Sequence, residues 1–345
     1  AMASYPSYDP SLYLAGADNK EAQKQISELN DPKNEMKPLL NRAISGVYTP
    51  GSTFKPIIGI SGLQEGVITS QTIIYDEGVT NIGGWTFYCL EYKNGFGAHG
   101  ALNLERALAT SCNIYFHKLG AQIGIDSIDK WAKSFGLGEL QGIDIPGERR
   151  GVLASKQYKL DVFKDIWRPA DTAQASIGQL FNSFTPLQLA NYVSTIANGG
   201  KLFKPHLIKK IVKYDGSVVN ETEPEYNQIQ VSQDNLNAVK KGMVAVANSV
   251  DGTAATMFDG LPFKVAGKTG TAETGAESTH SSNALFVCYA PADNPKIAIA
   301  VVVERGAWGA NTAPIARDIL AEYFNLNKQS SVDDKVKADE AVLAR

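Results

Sequence analysis

The chain has 345 residues, with 33 Lys and Arg against 36 Asp and Glu, a formal net charge of −3. That balance excludes a protein made chiefly to bind nucleic acid, which carries a clear basic excess. With 43% hydrophobic and 20% charged residues, and Gly and Pro at 31 and 15, the disordered, collagenous and coiled-coil classes are excluded as well, leaving a globular chain long enough for a large core.

In chain order, turn chemistry around Pro6 and Pro10 is followed by a polar, helix-prone stretch at 19–30. Pro50-Gly51 opens a predicted helix over 52–63, whose N-terminal hydroxyl and early proline both suit a first turn, so Ser52 stands at a helix N-terminus. Residues 70–100 read as loop-rich. From Leu102 onward, Leu104, Ala107, Leu108, Ser111, Ile114, Tyr115 and Leu119 keep helical spacing, which places Ser111 inside that helix or at its end. Further helices are predicted over 125–135 and 185–197, the second closing on Asn198-Gly199-Gly200. Beyond Leu261 the runs 263–267, 284–290 and 297–303 read as antiparallel strands, with a closing helix at 314–324 over the sheet. The expected class is α/β (α+β), with strands mostly at the chain ends around a helical insert, and a polar tail at 326–345. No run reaches the roughly 18 to 20 apolar residues of a bilayer span, and no signal peptide is recognisable, so this stretch is expected to be soluble.

Three short motifs occur in a fixed order: Ser52-Thr53-Phe54-Lys55, Ser111-Cys112-Asn113 and Lys268-Thr269-Gly270-Thr271. Each is weak alone, since Ser127-Ile128-Asp129-Lys130 and Ser281-Ser282-Asn283 match two of the patterns by chance. An isolated Ser52 would be a helix cap, and an isolated Lys55 a solvated lysine. Together they describe acyl transfer. A serine hydroxyl needs a base to take its proton, and a lysine three residues on along a helix shares its face. That lysine must be neutral, which burial and a second cation, Lys268, would favour. The amides of Ser52 and Thr271 are the expected donors to a developing oxyanion.

These motifs resemble the penicillin-recognising serine transferases and hydrolases. Further strings look like a class B penicillin-binding protein of the penicillin-binding protein 2 and sporulation-specific transpeptidase branch. They are residues 4–10, the stretch from Asn41-Arg42-Ala43 to Pro56, residues 143–148, Ser176-Ile177-Gly178-Gln179, and Lys268-Thr269-Gly270-Thr271-Ala272-Glu273. The resemblance implies the serine β-lactamase/D,D-peptidase-like fold: an antiparallel sheet flanked by helices, with an all-helical lobe at roughly 56–255, making residues 1–325 one transpeptidase domain.

It also implies roles. Ser52 would be the acylated nucleophile and Lys55 its proton acceptor. Ser111 would relay a proton to the leaving amine, and Asn113 would hold the substrate amide. Lys268 and Thr269, with Gly270, would bind the carboxylate end of a D-Ala-D-Ala stem peptide or of a β-lactam, and Thr271 would give the oxyanion amide. The implied activity is a serine D,D-transpeptidase that cross-links peptidoglycan, needs no cofactor for catalysis and works with other cell-wall synthesis proteins. Its catalytic domain is expected on the outer face of the bacterial cell membrane, through an anchor and pedestal outside these residues. A D,D-carboxypeptidase, a β-lactamase and a non-catalytic β-lactam sensor or scaffold share the site but not the outcome. One departure stands out: the residue after Gln179, normally glycine in such strings, is Leu180.

A second constellation joins Cys89, His99 and Cys112 within 24 residues, with Asp76 just before. Thiolate, imidazole and carboxylate suit a structural Zn²⁺ that would brace 76–99 against Cys112; His117 is a poorer fourth ligand and Glu91 a substitute. Buried free thiols and a Cys89–Cys112 disulfide are the open alternatives. Cys288, in an apolar run, is expected to be core, His206 and His280 surface residues, and Trp308 a packing or rim residue.

Overall fold

Residues 284–290 are apolar at nearly every position, and in the computed structural model this run is the middle strand of the central sheet, buried on both faces. The structure describes residues 1–16, 18–273 and 282–326; His280, Ser281 and almost all of the expected tail lie outside them. The first half runs α1 (Lys20–Leu29), α2 (Lys55–Gln64), β1 (Ile74–Asp76), β2 (Val79–Ile82), β3 (Trp85–Tyr88), the single-turn α3 (Leu90–Lys93), β4 (Gly100–Leu102), α4 (Leu104–Ala109), α5 (Asn113–Ile123), α6 (Ile125–Ser134) and α7 (Lys156–Phe163). There follow α8 (Pro169–Ala175), α9 (Pro186–Ala197), β5 (Lys201–Phe203), β6 (Lys210–Val212), β7 (Val218–Glu221), β8 (Tyr226–Gln228), α10 (Gln233–Asn248), β9 (Ala266–Ala272), β10 (Asn283–Ala290), β11 (Ile297–Val303) and α11 (Ala313–Tyr323).

The central sheet has the order β11-β10-β9 and is antiparallel throughout, with Lys268 opposite Val287 and Cys288 opposite Ile299. Period-two alternation splits β10 between two cores. Leu285, Val287 and Tyr289 face the helices of the middle chain, whereas Phe286, Cys288 and Ala290 pack with Ala313, Ala316 and Leu320 of α11. Cys288 is thus core, as read. Local signals hold the helices: Thr185 and Gln188 form a capping box on α9, and Ser232 caps α10, each cap contributing about 1 kcal/mol.

The structure departs from the sequence reading in five places. The lobe at 56–255, expected to be all-helical, also holds β1–β8, paired two by two as β1-β4, β2-β3, β5-β8 and β6-β7. Among the described residues the central sheet comes from residues 266–303, and the first 50 supply only an isolated bridge from Tyr48 to Phe184. Residues 70–100 are not plain loop but hold β1, a β2–β3 hairpin turning at Gly83-Gly84, and α3. The strand expected at 263–267 begins at Ala266 and carries the Lys-Thr-Gly-Thr motif inside it, because β10 offers a ladder partner as far as Asn283 opposite Ala272. The helix expected from Leu102 through Leu119 is two helices, parted where Ser111 adopts a φ of +55°. Thr110, Ser111, Cys112 and Asn113 all have modest helix propensity and compete for backbone hydrogen bonds, which favours a break there.

Candidate active site

Ser52 lies on a single 3-10 turn, Gly51–Phe54, that leads directly into α2. The turn is wedged between two other chain segments. The Gly51 N–H donates to the Gly178 carbonyl at 3.0 Å, and a side chain on Gly178 would place its Cβ 2.0 Å from the Gly51 oxygen. On the opposite side a Cβ on Gly51 would lie 2.6 Å from the Thr271 carbonyl, and one on Gly270 would lie 2.7 Å from Thr53 Cγ2. The turn that carries Ser52 and the β9 strand therefore meet backbone to backbone. Tyr192 of α9 donates from its hydroxyl to the Thr53 carbonyl and fixes the turn from below.

The first residue of α2, Lys55, is fully buried. Its Nζ donates to the Ser111 carbonyl at 2.6 Å and to Asn113 Oδ1 at 2.6 Å, and lies 3.2 Å from Ser111 Oγ. Burial pushes its amine down from 10.5 to about 7, against a smaller upward pull from the thiols of Cys112 and Cys89. That displacement corresponds to about 5 kcal/mol against the charged form, enough to leave a large neutral fraction near neutral pH. From the other wall Lys268, also fully buried, donates to Ser111 Oγ at 2.8 Å and to the Thr269 carbonyl at 3.2 Å. Burial first, and then the charge of Lys55, hold its amine well below the usual lysine range. Ser111 sits in the left-handed region, a strained backbone for serine, and the break between α4 and α5 presents both its carbonyl and its hydroxyl to the two lysines. Thr271 Oγ1 accepts from the Gly309 N–H at 3.0 Å, which ties the loop after β11 to the same strand.

The structure thus joins Lys55, Ser111, Asn113 and Lys268 in one hydrogen-bonded cluster and packs the turn that carries Ser52 against the strand of Thr269, Gly270 and Thr271. The competing Lys130 points elsewhere, paired with Glu65 at 3.0 Å. Two neighbours carried no sequence signal: Tyr192, and Thr253, whose hydroxyl lies 2.7 Å from that of Thr269. Leu180 has a φ of +65°, which explains physically why glycine suits that position. Trp308 is half exposed beside Gly309, His206 is exposed, and His117 is buried with Nδ1 donating to the Ala173 carbonyl at 2.7 Å.

Asp76, Cys89, His99 and Cys112 also converge, one ligand atom from each lying within 4.8 Å of all the others. His99 Nδ1 is 2.7 Å from Asp76 Oδ2 and 3.2 Å from Cys89 Sγ, and Cys112 Sγ lies 3.2 Å from the same carboxylate oxygen. Neither cysteine is in a disulfide, which overturns the crosslink alternative, and neither His117 nor Glu91 joins the group. Hydrogen bonding to Cys112 and His99 draws the Cys89 thiol down to about 5 despite burial. The Cys89 contact, with Asp76, lifts His99 to about 9. Cys112 is pushed up, by Cys89 and by burial. Burial would raise Asp76, but hydrogen bonds from Cys89, His99, the Gly78 amide and Cys112 outweigh it and hold the carboxyl near 2. The two thiols are thus displaced in opposite directions, Cys89 down and Cys112 up, beside a carboxylate.

Residues 1–321 match the family profile described as penicillin binding protein transpeptidase domain. The chain is 34% identical over 333 residues to the peptidoglycan D,D-transpeptidase MrdA of Escherichia coli K12, covering 93% of this chain and 51% of that protein, so it spans about half the length of that relative. Among solved structures it resembles the Helicobacter pylori penicillin-binding protein PBP2 in complex with MreC, at a TM-score of 0.80 and 31% identity over 94% of this chain and 57% of that one. It also resembles the penicillin G acyl-enzyme complex of penicillin-binding protein A from M. tuberculosis, at 0.78 and 30% over 94% and 71%.

Proposed function

The chain belongs to the penicillin-binding protein transpeptidase family, and from that premise we propose that it is a serine D,D-transpeptidase that cross-links peptidoglycan stem peptides. The observation that carries this reading is the convergence of Lys55 and Lys268 on Ser111 Oγ. Ser52 Oγ attacks the penultimate D-alanine carbonyl, and its proton passes to the neutral amine of Lys55. The amides of Ser52 and Thr271 stabilise the oxyanion. As the tetrahedral species collapses, the C–N bond breaks and the proton reaches the leaving D-alanine nitrogen through the Ser111 hydroxyl. An amine from a second stem peptide then attacks the ester on Ser52, loses its proton along the same relay, and restores the serine. Asn113 orients the donor amide; Lys268, Thr269 and Gly270 receive its terminal carboxylate. A β-lactam imitates that donor and stops at the acyl-enzyme, in line with the acyl-enzyme seen in the M. tuberculosis relative.

Residues 1–325 act in this reading as one catalytic domain, with the largely helical lobe at 56–255. The substrate lies outside the cytoplasmic membrane, so the domain is read as extracytoplasmic and membrane-attached. Among the described residues no helix is long and apolar enough to cross a membrane. The MreC complex of the H. pylori relative supports partnership with other cell-wall proteins. Asp76, Cys89, His99 and Cys112 would hold a structural Zn²⁺. Tetrahedral bonds of about 2.0 to 2.3 Å separate ligand atoms by roughly 3 to 4 Å, close to the spacing present here. The ion would supply no chemistry to acyl transfer, only a tie between the 76–99 segment and Cys112.

Intact-mass measurement with benzylpenicillin tests the reading. A persistent penicilloyl adduct that maps to Ser52 and is absent from Ser52→Ala, with cross-linked product from donor and acceptor peptides, is the expected result. Rapid turnover of the adduct would make it a β-lactamase, hydrolysed donor alone a carboxypeptidase, and acylation without peptide turnover a sensor.

A further inference from the structure

Thr253 stands outside every motif, in the turn that follows α10, yet it touches both walls of the cleft. Its N–H donates to the Ala109 carbonyl at 3.1 Å, at the end of α4 two residues before Ser111. Its hydroxyl is 2.7 Å from that of Thr269, on the opposite wall. The turn has little freedom. Ala254 N–H donates to the Val246 carbonyl at 3.0 Å, Ala254 is fully buried, and a Cβ on Gly252 would come within 2.3 Å of that same carbonyl oxygen. On the other wall the Thr269 carbonyl accepts from Lys268, and Thr269 itself is largely buried.

Two hydroxyls in contact hold two protons, and one is consumed between them. If Thr253 donates to Thr269, the Thr269 proton remains for an acceptor in the cleft. An anion at Thr269 selects that polarity, and the chain Thr253–Thr269–anion strengthens cooperatively. We propose that Thr253 is a positioning residue for recognition of the substrate's terminal carboxylate: it orients the Thr269 hydroxyl as a donor and holds it at a fixed separation from the Ser111 wall. This rests on the transpeptidase reading, and it adds a specificity element that acts through Thr269 without touching substrate.

The test compares acylation of the whole chain by benzylpenicillin and by its neutral methyl ester in wild type, Thr253→Val and Thr253→Ser. Valine keeps the shape and removes the hydroxyl. The expected result is that the acid-to-ester ratio of second-order acylation rates falls by about five- to tenfold in Thr253→Val, the size of one lost hydrogen bond, and that serine restores it. A Thr253→Val ratio equal to wild type, or equal losses with acid and ester, overturns the proposal, the latter because a merely structural role would slow both alike. Wild type that forms no adduct overturns the transpeptidase reading itself, so the two failures are told apart.

Discussion

Lys55 and Lys268 meet on one oxygen: their amines lie 3.2 and 2.8 Å from Ser111 Oγ, one from α2 and the other from β9. Two ammonium groups sharing a hydroxyl in a buried site repel strongly, so the pair is stable only when at least one amine is neutral. In the proposed reaction this geometry would ready Lys55 as a base before substrate arrives, and a carboxylate bound beside Lys268 would restore its charge without protonating Lys55.

The acid limb of the acylation profile should follow Lys55. Its amine is held at about 7, so acylation is expected to rise tenfold per pH unit below 7 and to level off above it. Lys55→Arg, charged throughout, should lose about a thousandfold or more. The same displacement shapes stability: between the folded value and the unfolded one near 10.5, the unfolded chain binds more protons. This contribution is thus complete above the unfolded value and is lost as pH falls through about 7. A flat profile from pH 5 to 9 would exclude Lys55 as the base.

Removing a metal from the Asp76–Cys89–His99–Cys112 group should reach the active site electrostatically. The Cys112 and Cys89 thiols pull the Lys55 amine upward, and a bound cation would offset that pull. Chelation is therefore expected to move the acid limb to higher pH and to lower the unfolding midpoint; Cys89→Ser, which removes one of the pulling thiols together with the metal, should lower the midpoint with a smaller shift of the limb. Metal analysis of the purified chain, together with identical profiles with and without chelator, would argue for plain buried thiols.

Gly178→Ala should disable the site from outside the catalytic set. Its φ is +73°, and the new methyl would sit 2.0 Å from the Gly51 carbonyl oxygen. We expect a loss of at least about 2 kcal/mol of stability and an adduct yield reduced more than folding alone explains, because the turn carrying Ser52 must shift. Chemical denaturation and adduct mass on the same sample separate the two effects.

At Leu180, with its φ of +65°, two truncations should differ in a diagnostic order. Leu180→Gly and Leu180→Ala both forfeit packing against the core, but only glycine escapes the left-handed penalty. The glycine variant is expected to be the more stable by about 0.5 to 1 kcal/mol, read as a denaturant midpoint. The reverse order would mean that the backbone relaxes when the side chain is shortened.

Much of this site was legible because its chemistry is local in sequence. The Ser-x-x-Lys turn spans only four residues, and the metal-ligand residue types stand out by their rarity. What lay beyond reading is the set of contacts made across long separations. Thr253 and Tyr192 act through a single hydroxyl each and belong to ordinary helix and turn sequence, so periodicity cannot mark them. The break at Ser111 was masked because Leu104, Leu108, Ile114 and Leu119 face one core from two helices that happen to stay in phase. The β2–β3 hairpin left a readable trace in Gly83-Gly84, a two-residue turn between two short runs rich in β-branched and aromatic residues. Lys268-Thr269-Gly270-Thr271, polar in composition, is buried strand because the cleft satisfies its side chains, and strand scales judge such a stretch by its polarity.

The glycine approaches have a further consequence for how function arises during folding. Segments around 51, 178, 270 and 309 are stacked with no room for a methyl between neighbours: Gly178 on Gly51, Gly51 on Thr271, and Gly309 on Gly270, where a Cβ would lie 2.4 Å from a carbonyl oxygen. No subset of these segments holds the geometry alone, because each is the spacer for the next. Reactivity toward acyl donors should therefore switch on in a single late step, and a chain caught half-folded would be chemically silent rather than weakly and unselectively reactive.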